Sequence, residues 1–306
     1  MRITPGPGSA VASVRRPAVA GSFYPADRDE LAELVDLLLA TAPPPDDAVA
    51  AVEAGLAGIL VPHAGLSFSG HVAACAWRLS ASVPSASAAI TVVLLGTNHS
   101  AGWLHGVGVW DAGAWLTPLG EVAIDEDLAA EIVALGSPFV VDRDAHRSEH
   151  SLEVLLPFVH RALPGARIVP LAIATGRGDL AVRAGDLLGT LIAEHRATGA
   201  DVLLAISTDM AHYPPAAIAA RVTDDLAPMI LALDPTRLAR AEAGIATSGL
   251  PGVVCGMCGI EPAIVGLAAL RAMGVQRGVV LASATSADAD GPSARTVGYL
   301  AAAFPG

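Results

Sequence analysis

Three times in this chain an uncharged apolar run breaks off into a short polar segment that carries a histidine, and this repetition constrains the fold more than any single motif. Gly58 to Val61 runs into Pro62-His63-Ala64-Gly65, Ile90 to Leu95 into Gly96-Thr97-Asn98-His99, and Val202 to Ile206 into Ser207-Thr208-Asp209-Met210-Ala211-His212. Runs this short and this apolar, bounded by Gly or Pro, suit strands buried on both faces. In open α/β sheets ligands sit outside the carboxyl ends of the strands, so the polar residues that follow each run are the first candidates for chemistry.

The segments between the runs have helical spacing. Asp27 is placed to cap a helix over Glu30 to Leu39, a Pro-rich linker spans Ala42 to Asp47, and further helices are expected at about Gly70 to Leu79, Asp125 to Leu135, Glu149 to Ala162 and Asp179 to His195. Residues 105 to 124 alternate apolar residues with Gly, Trp and Thr, the pattern of a short antiparallel excursion. Arg167 to Ala174 reads as another strand; helices at about Pro215 to Leu233, Pro235 to Ala243 and Glu261 to Met273 precede strands at Gly278 to Ala284 and Thr296 to Ala303. Strands separated by helices imply a three-layer α/β/α sandwich with a mixed central sheet. A single domain is expected over residues 15–306, behind a loose, disordered leader over residues 1–14 that has Gly, Pro and Ser but no secretory apolar stretch.

A hydrophobic content of 53% supplies a sizeable core for a chain of 306 residues. A formal charge of −12 without an extended basic cluster argues against nucleic acid, leaving small molecules or proteins as partners. Apolar runs such as Ala88 to Leu95 are too short to span a bilayer, and a cytoplasmic location is expected. Three cysteines, Cys75, Cys255 and Cys258, are too few for a disulfide scaffold and read as reduced thiols.

His63 and His99 each follow a buried run next to a glycine, an arrangement that suits two ligands of one metal ion but also two hydrogen-bonded loop residues. Asp209 and His212 end a third run, where the aspartate can orient the histidine as a general base, sit behind a metal ligand, or satisfy amides of the turn. Glu149, His150 and Glu153 open an expected helix with the two glutamates on one face, which is also ordinary dipole complementation. His146 precedes that helix and is expected to be exposed. Cys255-Gly-Met-Cys258 precedes another helix, whose N-terminus favours a thiolate; the pair suits a soft metal ligand, a redox dithiol, or two small buried residues.

Taken in order, Pro17-Ala-Val-Ala-Gly-Ser-Phe-Tyr-Pro25, Pro62-His-Ala-Gly65, Gly96-Thr-Asn-His99, Glu149-His-Ser-Leu-Glu153, Ser207-Thr-Asp-Met-Ala-His-Tyr213 and Cys258-Gly-Ile-Glu-Pro262 resemble the MEMO family, including the MEMO-like protein B of the AmmeMemoRadiSam system, from Arg16 onward. The resemblance implies a fold like that of the class III extradiol dioxygenases and an iron or copper ion held by His63, His99 and Cys258. It implies His212 as catalytic acid/base with Asp209 beside it, and Glu149, His150 and Glu153 in or near the pocket. Cys258 stands where the dioxygenases use a carboxylate, which softens the site. Leu66, Phe68 and Leu155 stand where relatives carry tyrosines and a glutamine, and Cys255 is an additional thiol. The expected function is a metal-binding, oxidoreductase-type protein. The alternatives are a non-catalytic module that binds a peptide or small ligand in the same pocket, and a true ring-cleaving dioxygenase. The AMMECR-type and radical SAM proteins of the system are expected partners.

Overall fold

The apolar runs fold as the strands of one large sheet, seen here in a computed structural model that describes residues 13–53, 55–82 and 90–306. Along the chain come β1 (Val14–Arg15), α1 (Arg28–Thr41), α2 (Asp46–Ala51), β2 (Leu56–Val61), α3 (Leu66–Ser82), β3 (Thr91–Thr97), β4 (Gly106–Val109), β5 (Ala114–Thr117), β6 (Gly120–Ala123), α4 (Glu126–Ala134) and β7 (Phe139–Val141). They are followed by α5 (Leu156–Ala162), β8 (Arg167–Ala174), α6 (Asp179–Ala197), β9 (Val202–Ser207), α7 (Ala216–Leu231), α8 (Pro235–Thr247), α9 (Ile260–Ala272), β10 (Val279–Thr285) and β11 (Gly298–Pro305). Asp27 caps α1 as expected, accepting from the amides of Asp29 and Glu30.

Eight strands among the described residues pair in the order β10-β11-β2-β9-β3-β8-β4-β7. The centre is parallel: β9 lies between β2 and β3, and β8 follows β3. β11 is antiparallel to both β10 and β2, and β4 is antiparallel to β8 but parallel to β7, so the sheet is mixed. Every residue of β2 is buried, as is every residue of β9, because helices cover both faces. Helices α1, α3 and α5 pack together on one side, and α6, α8 and α9 on the other, giving three layers. Of the expected excursion, β4 joins the large sheet, whereas β5 and β6 form a hairpin that pairs with β1. Val14, placed in the leader by sequence, therefore lies in a strand, and residues 1–12 of that leader fall outside the described residues.

α9 lies almost wholly buried and reaches the sheet because α6 lets it come close. A Cβ on Gly185 would stand 2.3 Å from the Val265 carbonyl oxygen, and one on Gly189 would stand 2.2 Å from that of Ala269. Two glycines four residues apart thus make a smooth strip on α6 for the helix that follows Cys258. No helix among the described residues is long and apolar enough to cross a membrane.

Candidate metal centre

Because β2, β9 and β3 are adjacent and parallel, their carboxyl ends deliver His63, Asp209 and His99 to one place. His63 is buried, and burial, reinforced by the neighbouring histidines, pushes its imidazole well below the ordinary histidine range, so it is neutral. Its Nδ1 lies 2.8 Å from the Ser207 hydroxyl, and that hydroxyl donates its only proton to the Ser151 carbonyl at 2.6 Å. Ser207 can therefore only accept from Nδ1–H, which leaves the lone pair on His63 Nε2.

His99 is fixed in the same sense by a carboxylate. Glu149 is fully buried; burial alone would raise its pKa, but the hydrogen bond and charge of His99 and the amides of Ser151 and His99 outweigh it and hold the group down at about 2. Glu149 Oε1 receives His99 Nδ1 at 2.9 Å and the amides of His150 and Ser151 at 3.0 Å, while Oε2 receives the His99 amide at 2.6 Å. The carboxylate claims the Nδ1 proton, which leaves Nε2 as the ring nitrogen that can face a ligand. His150 stacks on His99 with ring centroids 4.6 Å apart, and each ring lies 5.5 Å from that of His63.

On the other side of His63, Nε2 stands 3.2 Å from Cys258 Sγ. The Asp209 amide donates to that sulfur at 3.4 Å, and the Cys258 amide donates to the Asp209 carbonyl. The helix-dipole argument for a thiolate does not hold in the chain by itself: burial pushes the Cys258 thiol well above its ordinary range, and the Asp209 charge adds to this. Burial raises the Cys255 thiol as well, to about 11. The cysteine loop is tied from below by buried Glu242 of α8, which accepts the Gly256 amide at 3.1 Å and pairs with Arg177.

Asp209 Oδ1 caps the turn after β2, accepting the amides of His63 at 2.7 Å and Ala64 at 3.2 Å. Burial raises its carboxyl to about 7 in spite of those amides. His212 Nε2 lies 4.0 Å from Asp209 Oδ2 and, although buried, has no hydrogen-bond partner among the described residues. Burial, with His99 and His150 nearby, lowers its imidazole to about 4. A carboxyl that holds its proton near neutrality thus stands beside an imidazole with an unused nitrogen, an arrangement able to pass a proton.

Two sets of ligand atoms each lie within 4.8 Å of one another: those of His63, His99 and His150, and those of His63, Asp209 and Cys258. His63 belongs to both, and the expected trio of His63, His99 and Cys258 draws one further member from each. Imidazoles with pinned Nδ1 protons next to a thiol are a donor set that suits a transition metal. Partial exposure of His99 (32%) and His150 (24%) keeps one side open.

Glu149 and Glu153 do not share a helical face. The expected helix over Glu149 to Ala162 becomes a turn, a 3₁₀ turn at Glu153–Leu155, and α5, since Pro157 suits a first helical turn and Glu149 spends its oxygens on the amides that a helix would use. Glu153 faces the N-terminal segment, accepting from Arg15 at 2.7 Å, Tyr24 at 2.6 Å and the amides of Ala18 and Val19. His146, expected to be exposed, is fully buried against Trp110 and Trp115, with Nε2–H donating to the Gly108 carbonyl. Among residues whose roles were not anticipated, Ser207 carried a signal, as the first polar residue after an apolar strand. Ser151 and Glu242 act through contacts that no local pattern announces.

A model of the family described as Memo-like protein matches residues 15–303. A MEMO1 family protein of Aquifex aeolicus is 36% identical over 95% of this chain and 99% of its own. Counterparts in Methanopyrus kandleri, at 34% over 95% and 98%, and in Thermotoga maritima, at 35% over 94% and 98%, are similar. A crystal structure of an uncharacterized Escherichia coli K12 protein aligns with a TM-score of 0.46 at 15% identity, over 82% of this chain and all of that one.

Proposed function

From the premise that the chain belongs to the Memo-like family, we propose that it is a mononuclear metalloprotein of oxidoreductase type that binds iron or copper through His63, His99 and Cys258. The observation that supports this most is the pair of pinned imidazoles: Ser207 and Glu149 take the Nδ1 protons, so His63 and His99 both offer Nε2. Glu149 plays the carboxylate behind a ligating histidine, a partner whose loss typically weakens metal binding. Such an ion would supply electron-transfer or dioxygen chemistry. His212 and Asp209 hold and move protons at Nε2 and Oδ2, and Asp209 also fixes the His63 backbone. A structural zinc site would be closed by four protein ligands, whereas this one keeps a partly exposed side.

A second ligand set has its own support, since His63, His99 and His150 already cluster. Elemental analysis of protein purified without chelator or nickel separates the two. We expect about one equivalent of iron or copper in the wild type, loss in Cys258→Ser and retention in His150→Ala. Loss in His150→Ala with retention in Cys258→Ser transfers the site to the three histidines. Absence of metal from every sample after anaerobic reconstitution refutes the metalloprotein.

A further inference from the structure

Tyr213, the residue after His212, has a backbone that few tyrosines adopt. Its φ is +72°, in the left-handed region where a bulky side chain is strained. The surroundings enforce it: the Tyr213 amide donates to the Thr296 carbonyl at 2.7 Å, the Thr296 amide returns a bond to Pro214 at 2.8 Å, and His212 pairs with Val297. The loop between β10 and β11 is thereby locked to the segment carrying His212. The conformation leaves the Tyr213 ring partly exposed, 5.5 Å from the His212 ring, and the guanidinium of Arg295 lies over it at 4.2 Å.

Arg295 differs from the other cations close to the site. The chain has no lysine, so every fixed positive side-chain charge is a guanidinium. Arg15 is committed to Glu153 and Arg177 to Glu242, whereas no carboxylate lies within ion-pair reach of Arg295 among the described residues. Its one recorded side-chain contact is the tyrosine face, which leaves the in-plane N–H groups unused. A stacked guanidinium is pre-organised for a planar anion, since its fork keeps one orientation and loses little freedom on binding. In a chain of charge −12, an unpaired, oriented positive charge beside an open histidine cluster is a local exception. Phe23 packs on His150 with ring centroids 4.8 Å apart, so aromatic rings lie against two of the histidines, His150 and His212.

We infer that Arg295, seated on Tyr213, is a substrate-recognition residue that binds an anionic substituent, carboxylate or phosphate, of a small molecule whose body lies over the histidine cluster. This deepens the metalloprotein reading and rests on it for the role of that cluster, but anion binding itself needs only Arg295 and Tyr213.

The flanking rings select ring-bearing probes. Benzoate and phenyl phosphate, with benzamide and benzyl alcohol as neutral counterparts, would be titrated calorimetrically into the metal-loaded full chain, the chelator-treated chain, and the Arg295→Gln and Tyr213→Phe variants, with metal content measured on every sample. Wild type should prefer at least one anion over its neutral counterpart by about tenfold; Arg295→Gln should lose the preference and keep its metal, and Tyr213→Phe should retain both. Preference for phenyl phosphate alone, or for benzoate alone, identifies the anion. A preference that persists in the chelator-treated chain, in protein that never acquires metal, supports the anion site while sinking the metal reading. Equal binding of anions and neutral probes, a preference unchanged in Arg295→Gln, or no binding of any probe at about 10 mM overturns the inference.

Discussion

Replacing Glu149 by Gln tests the centre at the point where its geometry is most specific. The two side chains have nearly the same shape, but the oxygens of Glu149 have unequal duties. Oε1 takes His99 Nδ1 and the amides of His150 and Ser151, and Oε2 takes the His99 amide at 2.6 Å. With the amide oxygen of Gln in the Oε1 position, its NH₂ faces the His99 N–H, and two donors oppose each other in a buried place. The reverse flip is worse, since it sets NH₂ against three donors. One lost bond of this kind costs about 1–3 kcal/mol of folding stability. The negative charge behind His99 is lost as well, and removal of such a partner typically weakens metal binding by about 10–100-fold, or roughly 1.4–2.7 kcal/mol. Chelator competition with added ferrous or cuprous ion measures the affinity, and urea unfolding of the chelated protein measures the stability. Affinity in Glu149→Gln equal to wild type, in a protein whose metal binding still requires His99, would refute the assignment of Glu149 as the group that orients this ligand.

Buried His146 makes stability depend on pH, because burial lowers its pKa to about 4. A depressed folded-state value contributes stability that is present above the unfolded value near 6.5 and lost as pH falls through 4, worth about 3 kcal/mol in full. The stability gap between wild type and His146→Gln should therefore narrow between about pH 7.5 and pH 4.5 in urea unfolding, and a gap independent of pH would contradict the argument. Gly189→Ala sets a methyl 2.2 Å from the Ala269 carbonyl oxygen of α9. It should cost about 1–3 kcal/mol or more, and an unchanged urea midpoint would show that the two helices separate freely.

How much of this was legible in the sequence depends on the range of the contacts involved. β2, β3 and β9 could be read because strands covered on both faces are apolar throughout, so each ends abruptly at its first polar residue. Their adjacency could not be read, since β9 enters between β2 and β3 from more than a hundred residues downstream. His146 reads as exposed because it precedes an expected helix, yet it is buried by Trp110 and Trp115, tryptophans that arrive from other strands and loops. The helix expected from Glu149 failed for a related reason. Its acidic first turn resembles dipole complementation, but the Glu149 carboxylate turns away to meet His99, fifty residues earlier.

The same contacts explain why the site needs this sheet order. Asp209 reaches the amides of His63 and Ala64 only because β9 pairs with β2, with Val61 opposite Ser207. Ser207 can meet both His63 Nδ1 and the Ser151 carbonyl only because β9 has β3 on its other side, where Ser151 Oγ donates to the Thr97 carbonyl. A strand placed anywhere else would leave the His63 Nδ1 proton unassigned and its Nε2 lone pair undirected, whereas His99 is oriented by Glu149. The tautomer of His63, the one residue common to both candidate ligand sets, is thus a consequence of one strand inserted between two others.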